Sequence, residues 1–538
     1  MKFDWNNPYP TIRAPVFARN AVATSQPLAA QAGAAMLRLG GNAVDAALAA
    51  AAVLTIVEPV SNGIGSDAFA IVWDGVRLHG LNGSGGAPMG WTPEYFMTKY
   101  GVNAAAIRPK RGWDTVTVPG AVAAWAELHE KFGKLSFSEV IEPAAELAEH
   151  GFGVGPVTAR KWSAAIAEMQ GQPGFDNAFL PRGRAPHVGE RFRLPAAARS
   201  LRQIAATRGR AFYEGELADR IVRFGEQHGA ALTRADLANY RPEWVTPVSQ
   251  RFREHDVHEL PPNGQGIAAL IALGILECLD LEELSVDSVD SIHLQIEAMK
   301  LAFADVYRYV ADPRAMQVSA EEMLDPRYLK ARASLIKRNR ATHFNFGLPK
   351  TGGTVYLTAA DADGMMVSFI QSNYMGFGSG IVVPETGISL QNRGLGLSLD
   401  PQSPNFIAPG KKPFHTIIPG FLTKEGRPVM SFGVMGGDMQ PQGHVQTLVR
   451  MLCYRQQAQA ACDAPRWKVN RDFSIDIEST VDSSTAASLA ALGHRMRSID
   501  DPYMDFGSGQ FIWRQSEALA DGYIVASDSR REGQAAGF

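Results

Sequence analysis

One threonine in this chain is placed where its hydroxyl could act as a nucleophile. Thr354 follows Gly352 and Gly353 in the stretch LPKTGGTVYLTAADADGMMVSF, which runs from Leu348 to Phe369. One interpretation is structural: a β-hairpin with a flexible glycine lead-in, because β-branched and aromatic residues flank a polar turn. The other is chemical: a threonine released as a new N-terminus would carry its own α-amine as a general base beside the hydroxyl. The stretch alone leaves both interpretations open.

Other patterns that could do chemistry are better explained as turns and loops. The GIGSD segment at Gly63–Asp67 precedes its strand and contains no full GxGxxG, which argues against a dinucleotide loop. The DADG segment at Asp361–Gly364 lacks the further acidic ligands and distal glutamate of a calcium loop, so a hairpin turn is expected. No GxSxG elbow is present, and Cys278, Cys453 and Cys462 lie outside any metal-ligand spacing. We therefore expect no metal and no cofactor.

The composition is typical of a globular enzyme with no polyanion partner. The chain has 538 residues, of which 46% are hydrophobic and 20% charged, with a formal net charge of −3. Such a chain can bury a large core, and its balanced charge gives no basic surface for nucleic acid. The longest apolar run, Ala46–Val57, is too short to cross a bilayer, and the N-terminus lacks a signal-peptide core. Three cysteines fit a reducing compartment, so we expect a cytoplasmic protein without membrane contact.

Alternating helix and strand patterns must position the candidate threonine. Helical patterns are expected in four segments: Gln26–Leu39, Asn42–Val57, most of Ala121–Ala206, and Gly266–Val310. An apolar strand is predicted over Ala68–Trp73, with a hairpin turn at Asp74-Gly75. From Thr354 onward the pattern becomes mainly β, with a further hairpin turn at KEGR, residues 424–427. This order favours an α/β protein with antiparallel sheets covered by helices.

Two groups of sequence segments, taken together and in order, resemble a known protein family, although no single motif is sufficient to show it. The first contains QPLAAQAGAAMLRLGGNAVDAALAAAAVLTIVEPVSNGIGSDAFAIVW, VTVPGAVAAWAELHEKFGKLSFSEVIEPAAELAEHGF, AFYEGELADRIV and LTRADLANYRPEW. The second contains TVYLTAADADGMMVSFIQSNYMGFGSGIVVPETGISLQN, KPFHTIIPG, FGVMGGDMQPQGHVQTLVRML and DAPRW. In this order they resemble the large and small subunits of the γ-glutamyltranspeptidase family, over nearly the whole chain.

That resemblance implies an N-terminal-nucleophile hydrolase with a four-layer αββα sandwich (α/β, of the α+β type), made as one inactive chain. Aligning DADG with the family's Asp-x-Asp-Gly turn puts the nucleophile on Thr354 without a gap. Autocatalytic cleavage between Gly353 and Thr354 would give a large fragment, 1–353, and a small fragment, 354–538, which stay associated as one intertwined domain. Gly353 suits the strained geometry of self-attack because it has no Cβ. An unperturbed α-amine pKa of about 7.7–8.0 suits a base near neutral pH.

Other roles follow from the same resemblance, position by position. Gly436 and Gly437 in VMGGDMQ match the family's oxyanion loop, whose backbone N–H groups stabilise a tetrahedral intermediate, although a plain turn after a strand is the alternative. Ser372 matches a family threonine that bonds the amine of the nucleophile. Asn392 matches an asparagine near the substrate, although it or Gln391 could simply satisfy its own loop.

The residues that recognise a glutamyl group do not match the family. Ser84 stands where the family has its carboxylate-binding arginine, and Leu395 and Gly396 stand where an acidic pair holds the substrate ammonium. His415 and Thr416 replace a Ser-Ser pair. Buried charges need partners. Without the carboxylate-binding arginine and the acidic pair, the site loses most of the basis for selecting glutamyl groups.

The sequence therefore predicts a self-processing amidohydrolase or acylase that cleaves a small amide through a threonine acyl-enzyme. It resembles the divergent branch of the family that contains cephalosporin-acylase-like members and oxamate amidohydrolase. Arg393 is a candidate replacement for the missing carboxylate fork and His415 a candidate donor, although a structural arginine and a loop histidine are the alternatives. A γ-glutamyl hydrolase or transferase acting on glutathione-like substrates, and an uncleaved non-catalytic member, are the competing hypotheses. Transfer to an amine and a homodimer of the cleaved pair stay open.

Overall fold

Two seven-stranded sheets form the centre of the protein, in a computed structural model that describes residues 12–101, 107–342, 353–501 and 506–538. The strands are β1 Val16–Ala18, β2 Ala21–Thr24, β3 Asp67–Trp73, β4 Leu78–Gly83, β5 Phe152–Gly153, β6 Arg191–Phe192, β7 Glu243–Val245, β8 Val248–Phe252, β9 His255–Glu259, β10 Gly353–Ala360, β11 Met366–Tyr374, β12 Val382–Val383, β13 Ile388–Ser389, β14 Gly420–Lys424, β15 Arg427–Met435, β16 Trp467–Val469, β17 Ile475–Glu478, β18 Met496–Ile499, β19 Ser508–Arg514, β20 Tyr523–Ser527 and β21 Gln534–Gly537.

The helices surround these sheets. They are α1 Pro27–Arg38, α2 Ala43–Val57, α3 Pro93–Tyr100, α4 Ala121–Phe132, α5 Phe137–His150, α6 Pro156–Met169, α7 Phe175–Phe179, α8 Pro195–Ala206, α9 Arg210–Tyr213, α10 Glu216–Gln227, α11 Arg234–Ala238, α12 Gly266–Glu277, α13 Val289–Tyr309, α14 Ala320–Met323, α15 Pro326–Ala333, α16 Met439–Leu448, α17 Ala458–Asp463 and α18 Ser483–Ala491. None of the helices in the described residues combines the length and the apolar character that a bilayer span requires.

Both large sheets are antiparallel throughout. The first has the strand order β1-β20-β19-β15-β14-β9-β8, and the second has the order β21-β2-β10-β11-β3-β4-β7. Each sheet contains strands from before and after residue 354, so neither complete sheet can form from one part of the chain alone.

The three largest hydrophobic cores of the described residues lie between four layers of the molecule. Alternate residues of β10 belong to different cores, since side chains alternate across a strand: Val355 and Leu357 pack with helices α1 and α2, whereas Tyr356 lies between the sheets. On β15, Phe432 packs with helices α12 and α13 on the far side of the other sheet. The order is helix, sheet, sheet, helix, and it confirms the αββα expectation.

The DADG segment is a hairpin turn that also anchors a helix. Asp361 Oδ1 accepts from the N–H groups of Asp363 and Met365, and Oδ2 accepts from the N–H of Ala43, 2.9 Å away. A carboxylate is favourable at this position because the first N–H groups of a helix, here α2, carry partial positive charge. The hairpin interpretation of the stretch that contains Thr354 is therefore confirmed, with the strand beginning at Gly353.

The other local predictions agree with the structure to within a few residues. Helices α1 and α2 occupy the two predicted N-terminal segments, and the side chain of Asn42 closes a capping box at the start of α2. Asp74 accepts from the N–H groups of Val76 and Arg77 in the predicted turn between β3 and β4. The region Ala121–Ala206 is mainly helical but also contains the two short strands β5 and β6.

Candidate active site

Thr354 lies at an irregular point of the ladder between β10 and β11. The paired residues change from Gly353 and Tyr374 to Val355 and Gln371, so two residues of β11 oppose the single residue Thr354. This is a β-bulge, which re-aims side chains at the end of a strand. The Thr354 side chain is buried, with 3% of its surface exposed.

The two sheets meet so that Thr354 faces the end of β15. Thr358 Oγ1 on β10 lies 2.5 Å from Ser431 Oγ on β15. Two residues earlier on β10, the ring of Tyr356 lies against Gly433, where a Cβ would come within 2.4 Å of it. Gln440, which lies shortly after the end of β15 at Met435, contacts Thr354 Oγ1, so Thr354 lies near that end of the strand.

Two side chains, those of Ser372 and Gln440, contact the Thr354 hydroxyl. Thr354 Oγ1 lies 3.2 Å from Ser372 Oγ, and Gln440 Nε2 donates to Thr354 Oγ1 over 3.3 Å. Ser372 Oγ also accepts from the Tyr374 N–H at 2.8 Å and from Arg393 Nη2 at 3.1 Å. Tyr374 has a φ of 77°, a left-handed conformation that a tyrosine rarely adopts and that marks strain near a functional site.

Gly436 and Gly437 connect the end of β15 to the helix that carries Gln440. Their φ values are 128° and 60°, and a Cβ on Gly436 would lie 2.9 Å from the Cα of Gly507, so glycine is required there. Their carbonyls accept from the N–H groups of Met439 and Gln440 at the start of α16. Within the described ranges neither glycine N–H has a protein acceptor, and the oxyanion role of these two groups stays a prediction.

Arg393 is fully buried next to the hydroxyl pair. Its Nη1 donates to Thr416 Oγ1 at 2.8 Å and its Nη2 to Ser372 Oγ, while Nε has no hydrogen-bond partner. The guanidinium lies 4.5 Å from the centre of the Tyr374 ring. No carboxylate of the described chain forms an ion pair with it. Burial lowers the pKa of Arg393 to about 10, and the charge of Asp67 opposes this shift.

His415 is held by a buried aspartate and does not point its N–H at the nucleophile. Its Nδ1 accepts from the Ile417 N–H at 3.4 Å, so Nε2 carries the proton and donates to Asp67 Oδ2 at 3.0 Å. Burial holds the pKa of His415 well below its usual range, with Arg393 adding to the effect. Burial also raises the pKa of Asp67 to about 7, against the opposing charge of Arg393.

Ser84 and Asn392 each form hydrogen bonds both with nearby residues and with a distant segment of the chain. Ser84 Oγ donates to Asn82 Oδ1 at 2.7 Å and accepts from Asn263 Nδ2 at 3.2 Å. Asn392 Oδ1 accepts from the Met375 N–H, and its Nδ2 donates to the carbonyl of residue 110. For Asn392 these contacts match the loop-satisfying alternative, and a substrate contact by either side chain stays a prediction.

The loop that replaces the acidic pair is packed and uncharged. A Cβ on Gly394 would lie 2.6 Å from the Trp91 ring, and a Cβ on Gly396 would lie 2.3 Å from the Phe414 carbonyl. Arg108 donates to the carbonyls of Gly394 and Leu397 at 3.1 and 3.2 Å. This loop follows Arg393 directly, so the packing that excludes larger residues also fixes the arginine.

Four residues at the site were not identified from the sequence: Asp67, Arg108, Tyr374 and Gln440. Asp67 ends the GIGSD segment, which was considered only as a nucleotide loop. Gln440 follows the Gly-Gly pair by three residues, and a buried polar residue in the first helical turn after an oxyanion loop is the signal that could have found it.

Elsewhere in the described ranges, one group of side chains has metal-ligating chemistry. His293, Glu297 and His494 are buried and lie within reach of one another. Lys300 Nζ donates to Glu297 Oε1 at 2.9 Å and to His494 Nδ1 at 3.0 Å. A lysine ammonium thus occupies the place of a cation, and the expectation of no metal stays a prediction.

The fold and the threonine at the sheet junction define the class of protein. The chain belongs to the γ-glutamyltranspeptidase family, whose model (Gamma-glutamyltranspeptidase) matches residues 29–538. The sequence-based family assignment is therefore confirmed.

Among its relatives, the chain is 36% identical over 521 residues to the glutathione hydrolase-like YwrD proenzyme of Bacillus subtilis (strain 168), covering 95% of this chain and 97% of that protein. It is 34% identical over 526 residues to the oxamate amidohydrolase proenzyme of Klebsiella pneumoniae subsp. pneumoniae, with the same two coverages. The crystal structure of cephalosporin acylase from Bacillus halodurans has a TM-score of 0.93 and 47% identity, covering 100% of this chain and 99% of that one. These relatives are amide hydrolases, two of them named as proenzymes, so the predicted enzyme class is confirmed.

Proposed function

We propose that the protein is a self-processing amide hydrolase in which Thr354 is the nucleophile and the Gly353–Thr354 bond is the processing site. The observation that carries the proposal is the buried Thr354 hydroxyl, which contacts Ser372 and also Gln440, in the first turn of the helix that follows Gly436 and Gly437. A weak nucleophile, its hydroxyl partner and two donors for an oxyanion are the parts that acyl transfer requires.

In maturation, Thr354 Oγ attacks the carbonyl carbon of Gly353, and the C–N bond between the two residues breaks. The ester that forms is then hydrolysed by one water molecule. The products are a carboxylate on Gly353 and a free α-amine on Thr354, which supplies the base that the intact chain lacks.

In turnover, the α-amine takes the hydroxyl proton while Thr354 Oγ attacks the carbonyl carbon of the substrate amide. The N–H groups of Gly436 and Gly437 stabilise the resulting oxyanion. The C–N bond of the substrate breaks, and the leaving amine departs with the proton. Water hydrolyses the acyl-threonine ester, which restores the hydroxyl and releases a carboxylic acid; an amine in place of water would give transfer.

The buried guanidinium of Arg393, which has no ion-pair partner among the described residues, favours a substrate whose acyl part carries a carboxylate. A buried guanidinium without an ion-pair partner is unfavourable until an anion binds it, and the planar fork matches a carboxylate. The loop at Leu395 and Gly396 offers no carboxylate for a substrate ammonium. We therefore favour a small acidic amide such as oxamate, which the Klebsiella relative is named for, over a γ-glutamyl compound.

The large fragment, 1–353, and the small fragment, 354–538, should remain associated after cleavage. Each large sheet contains strands of both fragments, so separating the fragments would expose parts of both sheets and of the three largest hydrophobic cores. We keep a cytoplasmic location as part of the proposal; Cys278, Cys453 and Cys462 are free thiols in the structure, as expected in a reducing compartment. A homodimer of the cleaved pair stays a prediction.

A denaturing gel tests processing. The purified protein should run as two pieces whose junction, read by N-terminal sequencing and intact mass, falls at Thr354. Thr354→Ala should run as one chain, while Thr354→Ser keeps a hydroxyl and should still cleave. Cleavage of Thr354→Ala at the same bond would show that another residue is the nucleophile.

A substrate panel then tests the chemistry. The cleaved protein is incubated with oxamate, glutathione, a γ-glutamyl anilide and an acylated β-lactam, and amine release is measured. We expect turnover of the acidic amide and little turnover of glutathione. Robust glutathione hydrolysis would contradict the argument from the uncharged loop, and no turnover by a cleaved protein would contradict the choice of substrate class.

A further inference from the structure

Gln440 is a buried glutamine whose amide orientation is fixed by the backbone. It lies in the first turn of α16 and is fully buried. The Ile418 N–H donates to its Oε1 at 3.0 Å, and an N–H can only donate, so this contact identifies the oxygen. The NH₂ group must therefore face Thr354 Oγ1, 3.3 Å away.

This orientation decides how the Thr354 hydroxyl is used. Because an NH₂ group only donates, Thr354 Oγ1 must accept there with a lone pair, and its own proton must point elsewhere. Ser372 Oγ, at 3.2 Å, lies on another side of the same oxygen. Gln440 thus holds the hydroxyl in one rotamer, with the proton away from the amide.

A donor on the attacking oxygen also has an electrostatic consequence. When the threonine loses its proton, negative charge grows on Oγ, and a fixed N–H dipole stabilises that charge more than it stabilises the neutral hydroxyl. Both side chains are buried, and such dipoles have a larger effect in a buried site than in water.

We propose that Gln440 is a catalytic residue, which orients the Thr354 hydroxyl and stabilises the charge on Oγ as the new O–C bond forms. The inference rests on Thr354 being the nucleophile. It applies to self-cleavage and to substrate turnover, since the same oxygen attacks in both, and it does not depend on which acyl group is bound.

Gln446 provides a matched control on the same helix. It is also buried, and its amide also bridges backbone groups: Nε2 donates to the Trp467 carbonyl at 2.9 Å, and Oε1 accepts from the Trp467 N–H at 3.2 Å. Replacing it removes a buried amide from α16 without touching Thr354.

The experiment compares Gln440→Met, Gln440→Glu and Gln446→Met with the wild-type chain. The rate of self-cleavage and kcat on an amide that the wild type hydrolyses are measured, with thermal unfolding recorded for each protein. We expect both Gln440 variants to lose roughly 10²–10³-fold in kcat at neutral pH, as for removal of one oxyanion-hole donor, with little change in KM. The Gln446→Met variant should retain activity even if its unfolding temperature falls as much as that of Gln440→Met.

Acidification supplies a readout that a structural role would not produce. A buried glutamate has a raised pKa, and once protonated it again offers a donor to Thr354 Oγ1. The activity ratio of Gln440→Glu to Gln440→Met should therefore rise as the pH is lowered. Wild-type kcat in Gln440→Met, or an equal loss in Gln446→Met, would overturn the inference while leaving the proposed function intact. A wild-type chain that neither cleaves itself nor hydrolyses any amide would overturn both.

Discussion

Replacing Arg393 with methionine should separate recognition of a substrate carboxylate from the chemistry at Thr354. The guanidinium has five N–H groups, of which Thr416 and Ser372 each engage one in the described structure. Three N–H groups, including the one on Nε, remain for a ligand. Methionine is close in length, carries no charge and packs well in irregular cores, so it removes the fork with little change in volume.

The expected loss follows from these contacts. A hydrogen bond to a charged group contributes about 1.5–3 kcal/mol, and about 1.4 kcal/mol corresponds to a tenfold change. Arg393→Met should therefore lower kcat/KM for oxamate by about tenfold to 150-fold more than for oxamide, its neutral analogue. The decrease in kcat/KM for oxamide reports only the loss of the Arg393 contacts to Thr416 and Ser372. Dividing the decrease for oxamate by the decrease for oxamide therefore gives the contribution of the substrate carboxylate.

The assay is steady-state amide hydrolysis by the wild type, Arg393→Met and Arg393→Lys on both substrates. Lysine keeps a charge but loses the planar fork, so Arg393→Lys should fall between the other two. Thermal unfolding should show no large destabilisation, because the residue removed is a buried charge without an ion-pair partner. An equal loss on oxamate and oxamide would show that Arg393 supports the site without binding the substrate carboxylate.

Two further predictions concern the oxyanion loop and the buried aspartate. Gly436→Ala should lose roughly 10²–10³-fold in kcat, because its Cβ would displace an oxyanion donor. Gly426 is the control: it also has a positive φ (73°), but it lies in an open turn at the other end of β15. Gly426→Ala should therefore lose stability and retain activity in the same assays. Comparable kcat in the two variants would argue against the oxyanion role. Burial raises the pKa of Asp67 from 3.8 to about 7. Between these two pH values the native protein holds a proton on Asp67 that the unfolded chain has released. The contribution of Asp67 to the free energy of unfolding therefore falls as the pH rises from about 4 to about 7. Asp67→Asn should remove this dependence, so the unfolding free energy of the wild type relative to the variant should decrease between about pH 4 and pH 7 in denaturant titrations; a constant difference would show that Asp67 titrates normally.

Local sequence signals predicted the elements that carry the site. The hairpin of β10 and β11 follows from β-branched residues around a polar turn, and α2 follows from Asn42 and a run of small apolar residues. Both features depend on neighbours in the chain. Gly436 and Gly437 were predicted instead from the family resemblance, and their φ values of 128° and 60° favour glycine.

The contacts between side chains could not be predicted in the same way. Gln440 is 86 residues from Thr354 in sequence, and His415 is 348 residues from Asp67, so their pairing exists only once both sheets have formed. His415 illustrates the consequence, since its type suggested a donor to the substrate. In the structure the His415 N–H donates a hydrogen bond to Asp67, a pairing that one sequence alone does not reveal.

The charges around Arg393 connect the proposed substrate to the architecture of the site. Asp67 is the carboxylate whose charge acts on Arg393, yet it forms its hydrogen bond with His415 and titrates near neutral pH. The free site is therefore left with positive charge that its own acid balances incompletely. An incoming carboxylate would complete the balance, whereas an ammonium would add to the imbalance and find no acid on the packed loop at Gly394–Leu397. The same electrostatics thus favour an acidic acyl group and oppose the α-ammonium of a glutamyl substrate.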